Sequence, residues 1–242
     1  MPKQKVLMTT KLFWPEGGGG ELATYLIAKD MLSKHFELTV VSGTRRPAAD
    51  ILEHCKYVWW HLFTEKYKPI EWLKLIENTK QFARLVKQAD IVYIPSHTLL
   101  PLAIITKRIK PSVRVVVHLH NYQPLTYTSV MLACRGPDMA IDLIVERCEH
   151  ESLLRAVFAG IGHNINLVNR FASHYADRVI CVSRRQAEVI SNRAPELKHK
   201  IKVVYSPLPE TPPLEEKFAN PTFTFAGGGA TLRAFMCLYG LQ

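Results

Sequence analysis

Along most of the chain, short apolar runs alternate with segments whose apolar residues recur at helical spacing. The runs Val6–Thr10, Glu37–Ser42, Ile91–Ile94, Arg114–Leu119, Arg178–Ser183 and Ile201–Tyr205 read as strands, and Tyr57–Leu62 is a further candidate. Each is compact and apolar, as expected of a strand buried on both sides. Between them lie helical patterns. Glu21–Lys34 brings Leu22, Tyr25, Leu26 and Leu32 near one face, and Glu71–Gln88 does the same with Leu73, Ile76, Phe82 and Val86. Leu99–Ile109 and a segment from about Arg185 are also helical, and Asp138 to Tyr175 is mostly helical with a break near Gly160–Gly162.

This β-α-β alternation predicts an α/β fold: a Rossmann-like parallel sheet with helices on both faces. The texture then changes. Ser206–Pro213 carries four prolines, which fix φ and cannot donate to a ladder. Residues 1–205 are therefore expected to form one Rossmann-like domain, 206–221 a proline-rich linker, and 222–242 the opening βα unit of a second domain. That last segment carries Phe223, Phe225, Leu232, Phe235, Met236, Leu238 and Leu241. A lone βα unit cannot bury them, so contact with the first domain, a second copy or a partner chain is expected there.

Composition narrows the class. No apolar run among the 242 residues reaches the roughly 20 needed to span a membrane. The N-terminus also lacks the layout of a signal peptide, so a cytoplasmic location is expected. Five cysteines, Cys55, Cys134, Cys148, Cys181 and Cys237, form no C-x-x-C pair, which predicts neither a zinc site nor a disulfide scaffold. Cys181 reads as a small buried hydrophobe. The net charge of +10 favours anionic partners, but it is spread along the chain rather than clustered, and no nucleic-acid partner is expected. The helix around Trp72, with Lys68, Lys74, Lys80 and Lys87, and with Trp59 and Trp60 upstream, has the makings of peripheral contact with the inner face of a membrane. The simpler reading is a surface helix with one face in the core.

In open parallel sheets, ligands bind beyond the carboxyl ends of the strands. There the sequence places Glu16 and Gly17, Gly18, Gly19 and Gly20, then Ser96 and His97, then His118, His120 and Asn121, then Ser183, Arg184 and Arg185. Such an edge suits a phosphorylated, sugar-like ligand. Gly18-x-Gly20-x-x-Ala23 formally fits a dinucleotide fingerprint. Lys11–Glu16 intervene between strand and glycines, however, and the second strand ends in Ser42-Gly43-Thr44-Arg45-Arg46 without an acidic residue for a ribose. An NAD-dependent oxidoreductase is therefore disfavoured. What remains is a set of bare amides before a helix, suited to anions. His118 and His120, two residues apart, share a face if the strand continues. Either could touch a sugar or carry a proton, and a zinc site would need a third ligand. Arg184 and Arg185 suit phosphate or are simply solvated.

Four segments together carry a resemblance: the strand, glycine-rich loop and helix of Val6–Tyr25, VVVHLHNYQP at Val115–Pro124, ADRVICVSRRQAEVI at Ala176–Ile190, and KIKVVYSPLP at Lys200–Pro209. Their order is similar to that of glycosyltransferase family 4, of the retaining GT-B class, with Ser206 in place of an asparagine. The segment FTFAGGGATLRAF resembles the start of that family's C-terminal domain, with Arg233-Ala234 where a Lys-Gly pair is found. The resemblance implies retaining hexosyl transfer from a nucleotide-diphosphate sugar to a glycan or lipid-linked acceptor, without metal or other cofactor. The acceptor would sit on the N-terminal domain and the donor mainly on the C-terminal one. His120 or His118 would contact the transferred sugar. Gly17–Gly20, Ser96, His97, Asn121, Ser183, Arg184 and Arg233 would line the substrate and donor-phosphate sites. Because the sequence stops after the opening of the second domain, transfer unaided is not expected on this reading. The alternative is a non-catalytic acceptor- or partner-binding subunit needing another chain.

Overall fold

The structure, a computed structural model, describes residues 3–64, 68–127 and 138–209. The linker beyond 209, the βα unit expected at 222–242 and Arg233 lie outside the described residues, as do Cys134 and Cys237. The chain divides into two compact units: Met1–Leu125 with Leu167–Pro207, and Thr126–Asn166 with Leu208–Gln242.

The first unit is built on seven parallel strands: β1 (Lys5–Thr10), β2 (Glu37–Ser42), β3 (Lys56–Trp59), β4 (Ile91–Ile94), β5 (Arg114–Leu119), β6 (Arg178–Cys181) and β7 (Ile201–Val203). Their order is β3-β2-β1-β4-β5-β6-β7. Successive strands are added to one side of β1 and then to the other, so the order reverses between β1 and β4. That reversal leaves a crevice beyond their carboxyl ends. The apolar runs are continuous because side chains of both parities are buried. Leu7, Val92, Val115 and Val117 join one core, while Val6, Met8, Val40 and Tyr93 join the other. Helices cover both faces. α1 (Gly19–Leu26), a π-helical stretch Ile27–Leu32 and a last turn α2 (Ser33–His35) supply Tyr25, Ile27 and Ala28 to the second core. The first core takes Leu75 from α3 (Lys68–Glu77), Phe82 and Val86 from α4 (Thr79–Gln88), Leu102 from α5 (Leu102–Ile109) and Ile190 from α9 (Arg184–Arg193).

Several expectations are corrected. The third strand stops at Trp59 and turns into a 3-10 segment, His61–Thr64, because Trp60 and Phe63 fold inward and their rings meet at 5.1 Å. The helix expected over Glu71–Gln88 is broken at Asn78. Its expected apolar face is divided: Leu73 and Ile76 are 61% and 62% exposed, while Leu75 turns into the core. Glu71 is fully buried instead, its carboxylate 3.2 Å from Lys11 Nζ. The strand expected over Arg178–Ser183 ends at Cys181, since Ser183 caps α9. The last strand likewise ends at Val203 rather than Tyr205. Cys181 is fully buried, as expected. No helix among the described residues is long and apolar enough to cross a membrane.

The helical stretch after Asp138 resolves into α6 (Met139–His150), α7 (Leu153–Gly162) and α8 (Ile165–His174). In the second unit, Ile141 and Val145 form a small core, and Asp142 is held by His163 Nδ1 at 2.7 Å and by the Tyr127 amide at 3.2 Å. Gly162 lies close against the Tyr127 ring, where a Cβ would come within 2.9 Å of it.

Gly43 follows β2 where two backbones converge. A Cβ there would lie 2.7 Å from the Lys11 carbonyl oxygen and 2.9 Å from the Phe63 carbonyl. Backbone atoms cannot swing aside, so Gly43→Ala is expected to destabilise the fold by about 2 kcal/mol. Urea unfolding reads this directly, and an unchanged midpoint would refute the close approach.

Candidate active site

The loop after β1 leads into α1 through four glycines. Gly17 has φ +96° and a Cβ would meet the Glu21 side chain at 2.5 Å, so only glycine fits. Gly18 is the N-cap residue, and its amide donates to Glu21 Oε2 at 2.8 Å. The next amides, of Gly19 and Gly20, belong to the first helical turn and have no intrahelical acceptor. A Cβ on Gly20 would lie 3.7 Å from His120, in ordinary van der Waals contact, so the imidazole packs beside the helix start.

His118 is the penultimate residue of β5, and His120 follows directly after its end at Leu119. Their rings stack with centroids 4.4 Å apart and planes inclined by 29°. The two have different surroundings. His118 is only 1% exposed. Its Nδ1 meets the Tyr93 hydroxyl from the neighbouring β4, and its Nε2 is buried without a hydrogen-bond partner. Burial, and secondarily the neighbouring His120, push its pKa down to about 3. Burial also lowers His120, opposed by the nearby Glu21 carboxylate. His120 remains partly open. The Thr24 hydroxyl donates to the Gly20 carbonyl at 2.8 Å and lies 3.5 Å from His120 Nε2.

A second group continues from the same loop. The Asn121 side-chain amide donates to His97 Nδ1 at 3.1 Å, joining the ends of β5 and β4. The Asn121 carbonyl accepts from Gln186 Nε2 at 2.9 Å, and Gln186 Oε1 accepts from the Val182 amide at 2.8 Å. Ser183 Oγ accepts from the Gln186 amide at 3.1 Å, so its side chain is engaged as a cap. Ser96 Oγ lies 3.3 Å from Thr98 Oγ1. Arg184 opens α9 and is exposed, and Arg185 pairs with Glu188 at 3.2 Å.

Of the residues singled out in the sequence, Gly20, His118 and His120 thus meet in one place and His97 with Asn121 beside it. Arg233 lies outside the described residues. Thr24, Tyr93, Glu21 and Gln186 escaped the sequence reading. Two of these had a signal: Ser183-x-x-Gln186 and Gly18-x-x-Glu21 both carry capping-box spacing. Thr24 and Tyr93 sit in an apolar helix face and an apolar strand, where nothing local marks them. Among the described residues, no group of three or more His, Cys, Asp or Glu could hold a metal ion.

Residues 17–210 match the family model described as Glycosyltransferase Family 4. This chain belongs to glycosyltransferase family 4. No curated relative matches it. Solved structures share its architecture. LpCGTa, solved in complex with UDP, is 14% identical with a TM-score of 0.52, over 86% of this chain and 53% of that one. Phytolacca americana UGT2, complexed with UDP-2fluoro-glucose and pterostilbene, is 11% identical with a TM-score of 0.50, over 83% and 53%. Anabaena HepE, in complex with UDP and glucose, is 17% identical with a TM-score of 0.49, over 85% and 45%. The chain therefore spans about half the length of these structures. The fold is the Rossmann-like half of a GT-B glycosyltransferase.

Proposed function

We propose that the protein takes part in retaining transfer of a hexosyl group from a nucleotide-diphosphate sugar to a glycan or lipid-linked acceptor held on the sheet unit. The observation that carries this reading is His120, partly open at the carboxyl edge of the sheet, backed by His118 and lying against the bare backbone of Gly20. An imidazole that burial holds toward its neutral form is suited to hydrogen-bond a sugar hydroxyl and hold the ring in position. The Gly19 and Gly20 amides at the start of α1 offer a partial positive charge to a phosphate. Exposed Arg184 adds a cation at the start of α9. No metal ligand set takes part in this scheme, so diphosphate charge would be met by amides and arginine. Ser96, His97, Asn121 and Ser183 complete the lining, with Asn121 holding His97 in place.

A peripheral position on a membrane fits the acceptor side of the same reading. α3 leaves Ile70, Leu73 and Ile76 exposed, with the exposed cations Lys80 and Arg84 following on α4. An apolar ridge flanked by cations suits an anionic lipid surface.

The test is product formation by the full chain with a panel of UDP-, GDP- and ADP-sugars and saccharide or lipid-linked acceptors. The anomeric coupling constant of the new glycoside reports retention, and turnover in EDTA reports on metal. Products of inverted configuration would overturn the retaining assignment, and turnover abolished by EDTA would overturn the metal-free scheme.

A further inference from the structure

Arg45 and Arg46 leave β2 at the carboxyl edge of the sheet and are both exposed. The loop that carries them is held unusually firmly. The Gly43 amide donates to the Lys11 carbonyl at 3.0 Å. The Thr44 hydroxyl meets the Phe13 amide at 2.9 Å and donates to Glu16 Oε2 at 2.8 Å. The Tyr57 hydroxyl donates to the Thr44 carbonyl at 2.7 Å, and the Trp59 indole N–H donates to the Gly43 carbonyl at 3.0 Å. The backbone before the arginines is thus fixed from both β1 and β3. The Arg45 guanidinium then lies over the Trp59 ring, 5.5 Å from its centroid. Trp59 itself is 46% exposed, and the His61 ring flanks it at 6.2 Å.

Among the described residues neither Arg45 nor Arg46 has an ion-pair partner. Asp50 is paired with Lys29 Nζ at 2.7 Å and takes the Tyr25 hydroxyl at 2.5 Å, and the Glu16 carboxylate accepts from Thr44 rather than from either arginine. Two guanidinium forks match an oxyanion, stacking on an indole keeps one of them in place, and a half-exposed indole offers an apolar surface to a sugar ring. A rigid loop loses little entropy when a ligand arrives.

We propose that Arg45, Arg46 and Trp59 form a subsite for a phosphorylated saccharide, its phosphate on the arginines and its ring against the indole. The inference rests on the sugar-transfer reading, in which this unit holds the acceptor, and it specifies that the acceptor is anionic.

The test is direct binding, followed through the Trp59 indole resonance in two-dimensional 15N NMR and assigned with Trp59→Phe. Glucose 6-phosphate is expected to shift that resonance saturably, and inorganic phosphate to bind about tenfold more weakly. Arg45→Ala with Arg46→Ala is expected to weaken glucose 6-phosphate binding by about tenfold or more. Both arginines are exposed, so the fold survives, as circular dichroism will report. Equal affinity for phosphate and glucose 6-phosphate would reduce the site to a simple anion site and overturn the proposal. So would arginine-dependent binding to phosphatidylglycerol vesicles without binding of glucose 6-phosphate, which would assign the arginines to a lipid headgroup. Full binding by the double alanine variant would refute it outright. His120→Ala is expected to leave this binding unchanged, so a failure of the transfer reading is distinguishable from a failure of the subsite.

Discussion

His120→Ala is expected to lower kcat/KM for sugar transfer by about 100-fold, with the unfolding midpoint nearly unchanged. The imidazole is partly open, stacks on His118 and lies against Gly20, so its removal takes away a positioned polar contact without opening the sheet core. His120→Asn, which keeps a side-chain acceptor, is expected to recover part of the loss. Burial holds the His120 pKa below its usual 6.5, against the opposing pull of Glu21, and so favours the neutral ring. Any loss of rate from protonating His120 is therefore expected to set in with a midpoint below 6.5. A rate that fell with a midpoint at the ordinary histidine value would refute that lowered pKa. Wild-type turnover in His120→Ala would remove His120 from the site.

The second large effect is on stability. His118 is neutral in the folded protein down to a pKa of about 3, but protonates at its usual 6.5 when unfolded. The unfolded state therefore binds the extra proton below pH 6.5. The stability that His118 permits is complete above that pH and is lost progressively as pH falls toward 3. Between pH 7 and pH 5 this amounts to about 2 kcal/mol, with a limiting slope of about 1.4 kcal/mol per pH unit. Urea unfolding at constant ionic strength measures it. The double variant Tyr93→Phe with His118→Leu removes the titrating ring together with its hydroxyl partner, so its acid slope is expected to be shallower. Identical slopes in the two proteins would refute a depressed His118. The same burial explains why the two histidines differ in role. His118 has its Nδ1 on Tyr93 and is fully buried, whereas His120 is partly open.

How much of this was legible beforehand follows from where the physical signal lies. Strands such as Ile91–Ile94 and Arg114–Leu119 stand out because a parallel sheet covered on both faces demands continuous apolar runs, and both were located at their observed bounds. The face of α3 was misread. Leu73 and Ile76 have helical spacing, but the break at Asn78 and the buried pair of Glu71 with Lys11 rotate the packing toward Leu75. A carboxylate is placed in a core only when a distant cation meets it, and no local pattern announces that. Ser183 was assigned to a strand, although its S-x-x-Q spacing carried the signature of a helix start.

By itself, then, the sequence determined the α/β class, most strand positions, the family, and the place of the glycine loop and the histidine pair at the carboxyl edge of the sheet. Those are local quantities: periodicity, turn chemistry and the order of motifs. Tertiary structure alone decided that β1 and β4 form the reversal of the sheet, that Gly20 and Thr24 face His120, that Tyr93 immobilises His118, and that Arg45 stacks on Trp59. Each of these joins residues far apart along the chain. Distance and burial fix which histidine is open, which is neutral and which arginines lack an ion-pair partner, and those properties exist only once the strands are side by side.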